Sequence, residues 1–128
     1  ADLQILVVDD NEDAARSLGL LLRLMGYQVE IAHDAATALR SVATRRHDVA
    51  LLDLGMPDTD GYAVAQALRK QFPADELLLV AVTGWTQEQH RQRAREVGFD
   101  HHLAKPVDPA ELRVILERFW EERNLAGR

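Results

Sequence analysis

The chain has 128 residues, of which 47% are hydrophobic and 28% charged, with a formal net charge of −6 and no cysteine. That length suits one compact domain, which buries roughly two-thirds of the surface its unfolded chain would expose. The missing cysteines exclude disulfides, thiolate metal sites and thiol nucleophiles, and the acidic balance argues against direct contact of this segment with nucleic acid or an anionic membrane.

No apolar run reaches the length of a membrane span, and the opening residues lack a basic region followed by an apolar one, so a cytoplasmic location is expected. Gln4-Ile5-Leu6-Val7-Val8 is a β-branched run closed by Asp9 and Asp10, with Asn11 as a helix cap. Ala15, Leu18, Leu21, Leu22 and Met25 then recur at helical spacing, and Gly26 stands where a left-handed stop is wanted. Tyr27 to Ala32 reads as a second strand, and Asp34 caps a helix through Ala35, Ala38, Leu39 and Val42.

Val49-Ala50-Leu51-Leu52 runs straight into Asp53, after which Gly55, Pro57, Asp58 and Gly61 enforce a loop. Ala63, Val64, Ala67 and Leu68 mark a third helix that Pro73 stops, and Leu77 to Thr83 is an apolar strand of the kind covered on both faces. Thr86-Gln87-Glu88-Gln89 has capping-box spacing for a fourth helix to Val97, closed by Gly98 and anchored only by Ala94 and Val97. His101 to Ala104 is a short strand followed by Lys105-Pro106. Asp108, Pro109 and Glu111 then set up a last helix with Leu112, Ile115, Leu116 and Phe119 inward. Five strands alternating with five helices predict a parallel α/β sheet in a single domain over residues 1–128.

In such a sheet the carboxyl ends of the strands share one edge, where ligands bind. Asp9 and Asp10, Asp53, Thr83 and Lys105 all stand at those ends, so the pattern predicts that they meet in one crevice. Clustered carboxylates repel, and a hard divalent cation with oxygen ligands relieves them, with Mg²⁺ the natural choice and Mn²⁺ an alternative. An acidic metal site with a lysine and a hydroxyl facing Asp53 points to phosphoryl transfer, with Asp53 as the nucleophile.

The same residues carry a family resemblance. Asp9-Asp10, the segment Asp53-Leu54-Gly55-Met56-Pro57 with Asp60-Gly61, Val82-Thr83-Gly84 and Lys105-Pro106 together resemble the receiver domain of two-component response regulators. The stretch from Gly98 to Pro109 is most similar to receivers attached to hybrid histidine kinases. The resemblance implies a flavodoxin-like sheet of order 2-1-3-4-5, a topology commonly illustrated by a member of this family. It also implies phosphorylation of Asp53 by a phosphohistidine on a histidine kinase or phosphotransfer domain. Asp10, Asp53 and the Gly55 carbonyl would bind Mg²⁺ directly, with Asp9 acting directly or through water; Thr83 and Lys105 would grip the phosphoryl group, and the bond before Pro106 would be cis. The face built from the fourth helix, fifth strand and fifth helix would carry output or homodimer contacts.

One position departs from the pattern. Three residues before the lysine, relatives tend to carry Tyr or Phe, which moves inward when the threonine follows the phosphate. Here it is His102, whose charge near neutral pH adds a term that tyrosine lacks. Trp85, two after Thr83, is expected at the mouth of the site. His101 and His102 point to opposite strand faces and lack companions of zinc type. Arg91, Arg93 and Arg95 read as a solvated helix face. Trp120, off the main stripe of the last helix, suits either the core margin or a docking surface.

Overall fold

A computed structural model describes residues 3–57, 59–84 and 88–126. The elements alternate as β1 (Gln4–Val8), α1 (Glu12–Leu24), β2 (Gln28–Ala32), α2 (Ala35–Thr44), β3 (Val49–Asp53), α3 (Gly61–Gln71), β4 (Leu78–Thr83), α4 (Glu88–Val97), β5 (His101–Ala104) and α5 (Pro109–Ala126). The strands form one sheet in the order β2-β1-β3-β4-β5, with every neighbouring pair parallel. This is the predicted flavodoxin-like architecture.

Period-two alternation sends side chains to two cores. Leu6, Leu52, Leu79 and Ala81 face α2, α3 and α4, where they meet Ala38, Val42, Val64, Leu68 and Ala94. Ile5, Leu51, Val80 and Leu103 face the other side, against Ala15 and Leu22 of α1 and Leu112, Leu116 and Phe119 of α5. Residues of β3 and β4 are buried along their whole length, as the near-continuous apolar runs require. Each leucine taken fully out of water contributes roughly 1.5–3 kcal/mol, so these central strands dominate the apolar stabilisation.

The helix starts follow from their caps. Asn11 accepts a hydrogen bond from the Ala14 N–H at 3.0 Å, Asp34 from Thr37 at 2.7 Å, and Asp60 from Tyr62 and Ala63 at 3.0 and 3.4 Å. Gly26 and Gly98 have φ of 98° and 112° and end α1 and α4, as read. Helix α1 stops at Leu24, one residue short of the predicted span, with Met25 as its cap. The capping segment expected at Thr86 and Gln87 lies outside the described residues, as do Asp58 and Trp85.

At the amino ends of the strands, long-range polar contacts bind the layers. Arg69 of α3 donates to the carbonyls of Gly98, Phe72 and Leu77 and to the Asp100 carboxylate, which in turn accepts from the Leu79 N–H. Buried Asp48 accepts from the Gln4 N–H at 2.7 Å and from Arg123 of α5. No helix among the described residues is long and apolar enough to cross a membrane.

Candidate functional site

At the opposite edge the strands deliver their terminal polar groups to one place. The β1–β3 register pairs Val8 with Leu52, so Asp9 and Asp53 follow side by side. Carboxylate oxygens of Asp9, Asp10 and Asp53 lie within 4.8 Å of one another. Lys105 Nζ is 3.0 Å from Asp53 Oδ1. Thr83, 1% exposed, ends β4, and its carbonyl accepts from the Lys105 N–H at 2.9 Å. Asp9, Asp10, Asp53 and Lys105 thus come together at this edge, and the Thr83 backbone stands beside Lys105.

Backbone contacts fix the arrangement beyond the strands. The Leu54 N–H reaches the Val82 carbonyl at 3.0 Å, carrying the β3–β4 ladder past Asp53. The Gly55 N–H donates to Asp53 Oδ1 at 2.8 Å, so that one oxygen is held by both Gly55 and Lys105. A Cβ on Gly61 would stand 2.7 Å from Leu54 Cδ2, whose side chain is packed in the core, so the return of the chain into α3 needs glycine there. The Lys105–Pro106 peptide bond is cis, as the resemblance implied.

The electrostatics of the pocket suit a cation. Burial, and after it the charge and hydrogen bond of Asp53, hold the Asp9 carboxyl above the usual aspartate value, against the opposing pull of the Asn11 N–H and Lys105. One lysine thus faces three carboxyl groups, Asp10 exposed and the other two buried. An oxygen-only donor set of this kind matches Mg²⁺, which keeps part of its water shell.

One group that the sequence reading did not single out, His33, stands beside the acid pair. His33 Nδ1 donates to the Asp9 carbonyl at 3.0 Å. Its signal was its place just after β2, the strand beside β1. Arg93 of α4 lies over the Tyr62 ring at 4.2 Å and 3.9 Å from the Asp60 carboxylate, so this exposed arginine also ties α4 to the start of α3. His102 turns toward the α4 side of the sheet, opposite in sense to its neighbour Leu103, while His101 is exposed. Trp120 is 39% exposed.

A doubly wound parallel sheet with three acids, a threonine and a lysine at its carboxyl edge defines the class of small α/β signalling domains. The response regulator receiver domain family matches residues 5–117, and the chain belongs to it. It is 37% identical over 120 residues to the response regulator MprA of Mycobacterium avium, covering 91% of this chain and 52% of that protein. It is 33% identical over 119 residues to an uncharacterised 14.6 kDa protein of Leptolyngbya boryana, covering 93% and 91% of the two chains. The chain therefore spans about half the length of its MprA relative. Among solved structures, a CheY-like receiver domain protein of Methanospirillum hungatei superposes with a TM-score of 0.88 at 27% identity, covering 98% of this chain and 99% of that one. The chemotaxis regulator CheY4 of Vibrio cholerae gives 0.85 at 30% identity, covering 93% and 99%. Receiver domains bind Mg²⁺ through an acidic pocket and interact with histidine kinases or phosphotransfer proteins.

Proposed function

We propose that this chain takes a phosphoryl group from a phosphohistidine of a histidine kinase or phosphotransfer domain onto Asp53, in a Mg²⁺-dependent reaction. The convergence of Lys105 and the acid pair on Asp53 carries the reading. An Asp53 carboxylate oxygen attacks phosphorus while the P–N bond to the donor imidazole breaks. The bonding pair leaves with the donor nitrogen, which takes up a proton, and an acyl phosphate remains on Asp53.

The chain's own groups divide the work. Gly55 holds the Asp53 carboxylate in a single orientation through its N–H. Lys105, now against Oδ1, would offset charge on the arriving phosphoryl oxygens, and the Thr83 hydroxyl would donate to one of them. Mg²⁺, or Mn²⁺ in its place, held by Asp9, Asp10, Asp53 and the Gly55 carbonyl, would supply the remaining positive charge.

The response would fall on the surface of α4, β5 and α5, because α4 is anchored chiefly by Ala94 with Val97 at the margin. That surface is where we expect partner or homodimer contacts. The likeness of residues 98–109 to receivers of hybrid histidine kinases supports an origin in such a chain. The acidic charge supports protein partners for this segment rather than direct contact with nucleic acid.

Incubation with Mg²⁺ and a small phosphodonor should add one phosphate to the intact mass, and Asp53→Asn should abolish the gain. An unmodified wild-type mass alongside tight partner binding indifferent to Asp53 and Mg²⁺ would instead select a docking-only pseudo-receiver.

A further inference from the structure

The imidazole of His102 is seated in an unusual way. Neither Nδ1 nor Nε2 is open to solvent, and neither has a hydrogen-bond partner among the described residues. A neutral ring tolerates such a seat at a cost, whereas an imidazolium without partner or water is far less tolerable. The hollow around it is lined by Arg91, Ala94 and Arg95 of α4, by Phe99, Asp100 and His101 leading into β5, and by Glu111 of α5. An adjoining hollow over α5 adds Arg118 and Glu122. The β4 neighbours are apolar apart from Thr83.

These surroundings disfavour a charged ring in place. Burial first, then the charge of Arg91 and the neighbouring His90, push its pKa below the ordinary histidine value. Of the two carboxylates in the hollow, Asp100 is already engaged by Arg69 at 2.6 Å and by the Leu79 N–H at 2.8 Å. Glu111, in the exposed first turn of α5, is the acceptor left on the outer side.

We propose that protonation drives the His102 ring out of its seat beneath α4 toward Glu111 and solvent, loosening α4 against β5, so that mild acid works as a switch on this face. Ala94, the buried anchor of α4, lines the same hollow, so the ring's departure removes packing where the helix has least to spare. A link to the reactive edge follows from register and rests on the phosphoacceptor reading. Ala81 pairs with His102 and Thr83 with Ala104, which places Thr83 and His102 on one face of adjacent strands. If phosphoryl binding draws Thr83 toward Asp53 and favours the inward ring, protons and phosphoryl group must oppose each other reciprocally.

The test is an NMR titration of the ligand-free protein from about pH 8 to about pH 5, following the His102 ring and the α4 amides, with His102→Phe and His102→Tyr as comparisons. The α4 amides should move with the His102 midpoint, below the ordinary value, and should lose that transition in both variants. Amides that stay still through the His102 titration, or move equally in the variants, would overturn the switch. A second arm adds Mg²⁺ and beryllofluoride as a phosphoryl mimic. It should lower the His102 midpoint by about one unit, equivalent to about a tenfold loss of mimic affinity in acid that the variants do not share. A mimic that binds wild type but leaves the midpoint unmoved would overturn the link to Asp53. Failure of wild type to bind it at neutral pH would count against the phosphoacceptor reading, while the ligand-free titration decides the switch by itself.

Discussion

Lys105 and Asp53 touch at 3.0 Å across two strands that are not neighbours in the sheet, with β4 between them. The contact depends on both side chains leaving their strands at the same edge, and it places the amine on the oxygen beside which a new P–O bond would form. Replacing Lys105 by Ala should slow phosphate incorporation from a small donor by ~10²-fold, on the scale of losing one donor to developing charge, while leaving the fold intact. Single-turnover mass spectrometry at saturating Mg²⁺ measures it.

The acid cluster should make stability respond to metal. Mg²⁺ at a hundred times its dissociation constant should stabilise the folded state by about 2.7 kcal/mol through mass action. The gain should shrink in Asp10→Ala, and Asp9→Asn should raise metal-free stability at neutral pH by relieving repulsion with Asp53. Thermal melts with Mg²⁺ and with chelator check all three; equal melting temperatures throughout would speak against the site.

His102 predicts a pH trend in stability. Its folded pKa is depressed below 6.5, so between the folded and unfolded values the unfolded chain binds more protons and stability must fall as pH drops through that window. Asp9 acts in the other sense at lower pH. Its raised value means that its destabilising share appears as pH rises through the folded pKa and is relieved in acid. Urea midpoints of wild type should therefore decline on going from about pH 7.5 to about pH 5.5 more steeply than those of His102→Phe.

Arg69→Ala should lower stability by about 2–4 kcal/mol, because it strips partners from three carbonyls and from the Asp100 carboxylate at once. Urea denaturation measures the loss. Phosphorylation of the folded fraction should persist, since Arg69 lies at the far edge from Asp53.

The readable parts of the sequence were those with local periodicity. Alternating and three-to-four spacing gave the ten elements, caps at Asn11, Asp34 and Asp60 gave helix starts, and polar residues at strand ends gave the pocket. The cis bond before Pro106 came from family resemblance, since local spacing carries no signal for it. The Arg69 and Asp48 contacts were silent because each joins residues distant in sequence, and such pairing leaves no periodic trace. His33 was overlooked because its part is played through a backbone carbonyl. Strand alternation set which way His102 faces, but its lack of partners among the described residues depends on how α4 covers it.

Arg69, Asp48 and Arg123 gather at the amino-terminal rim of the sheet, whereas the carboxyl-terminal rim holds like charges with a single amine between them. Cohesion and reactivity therefore occupy opposite poles of the molecule. Variation at one pole can retune durability without altering chemistry at the other, which leaves the signalling rim free to remain under tension for a cation or phosphoryl group to release.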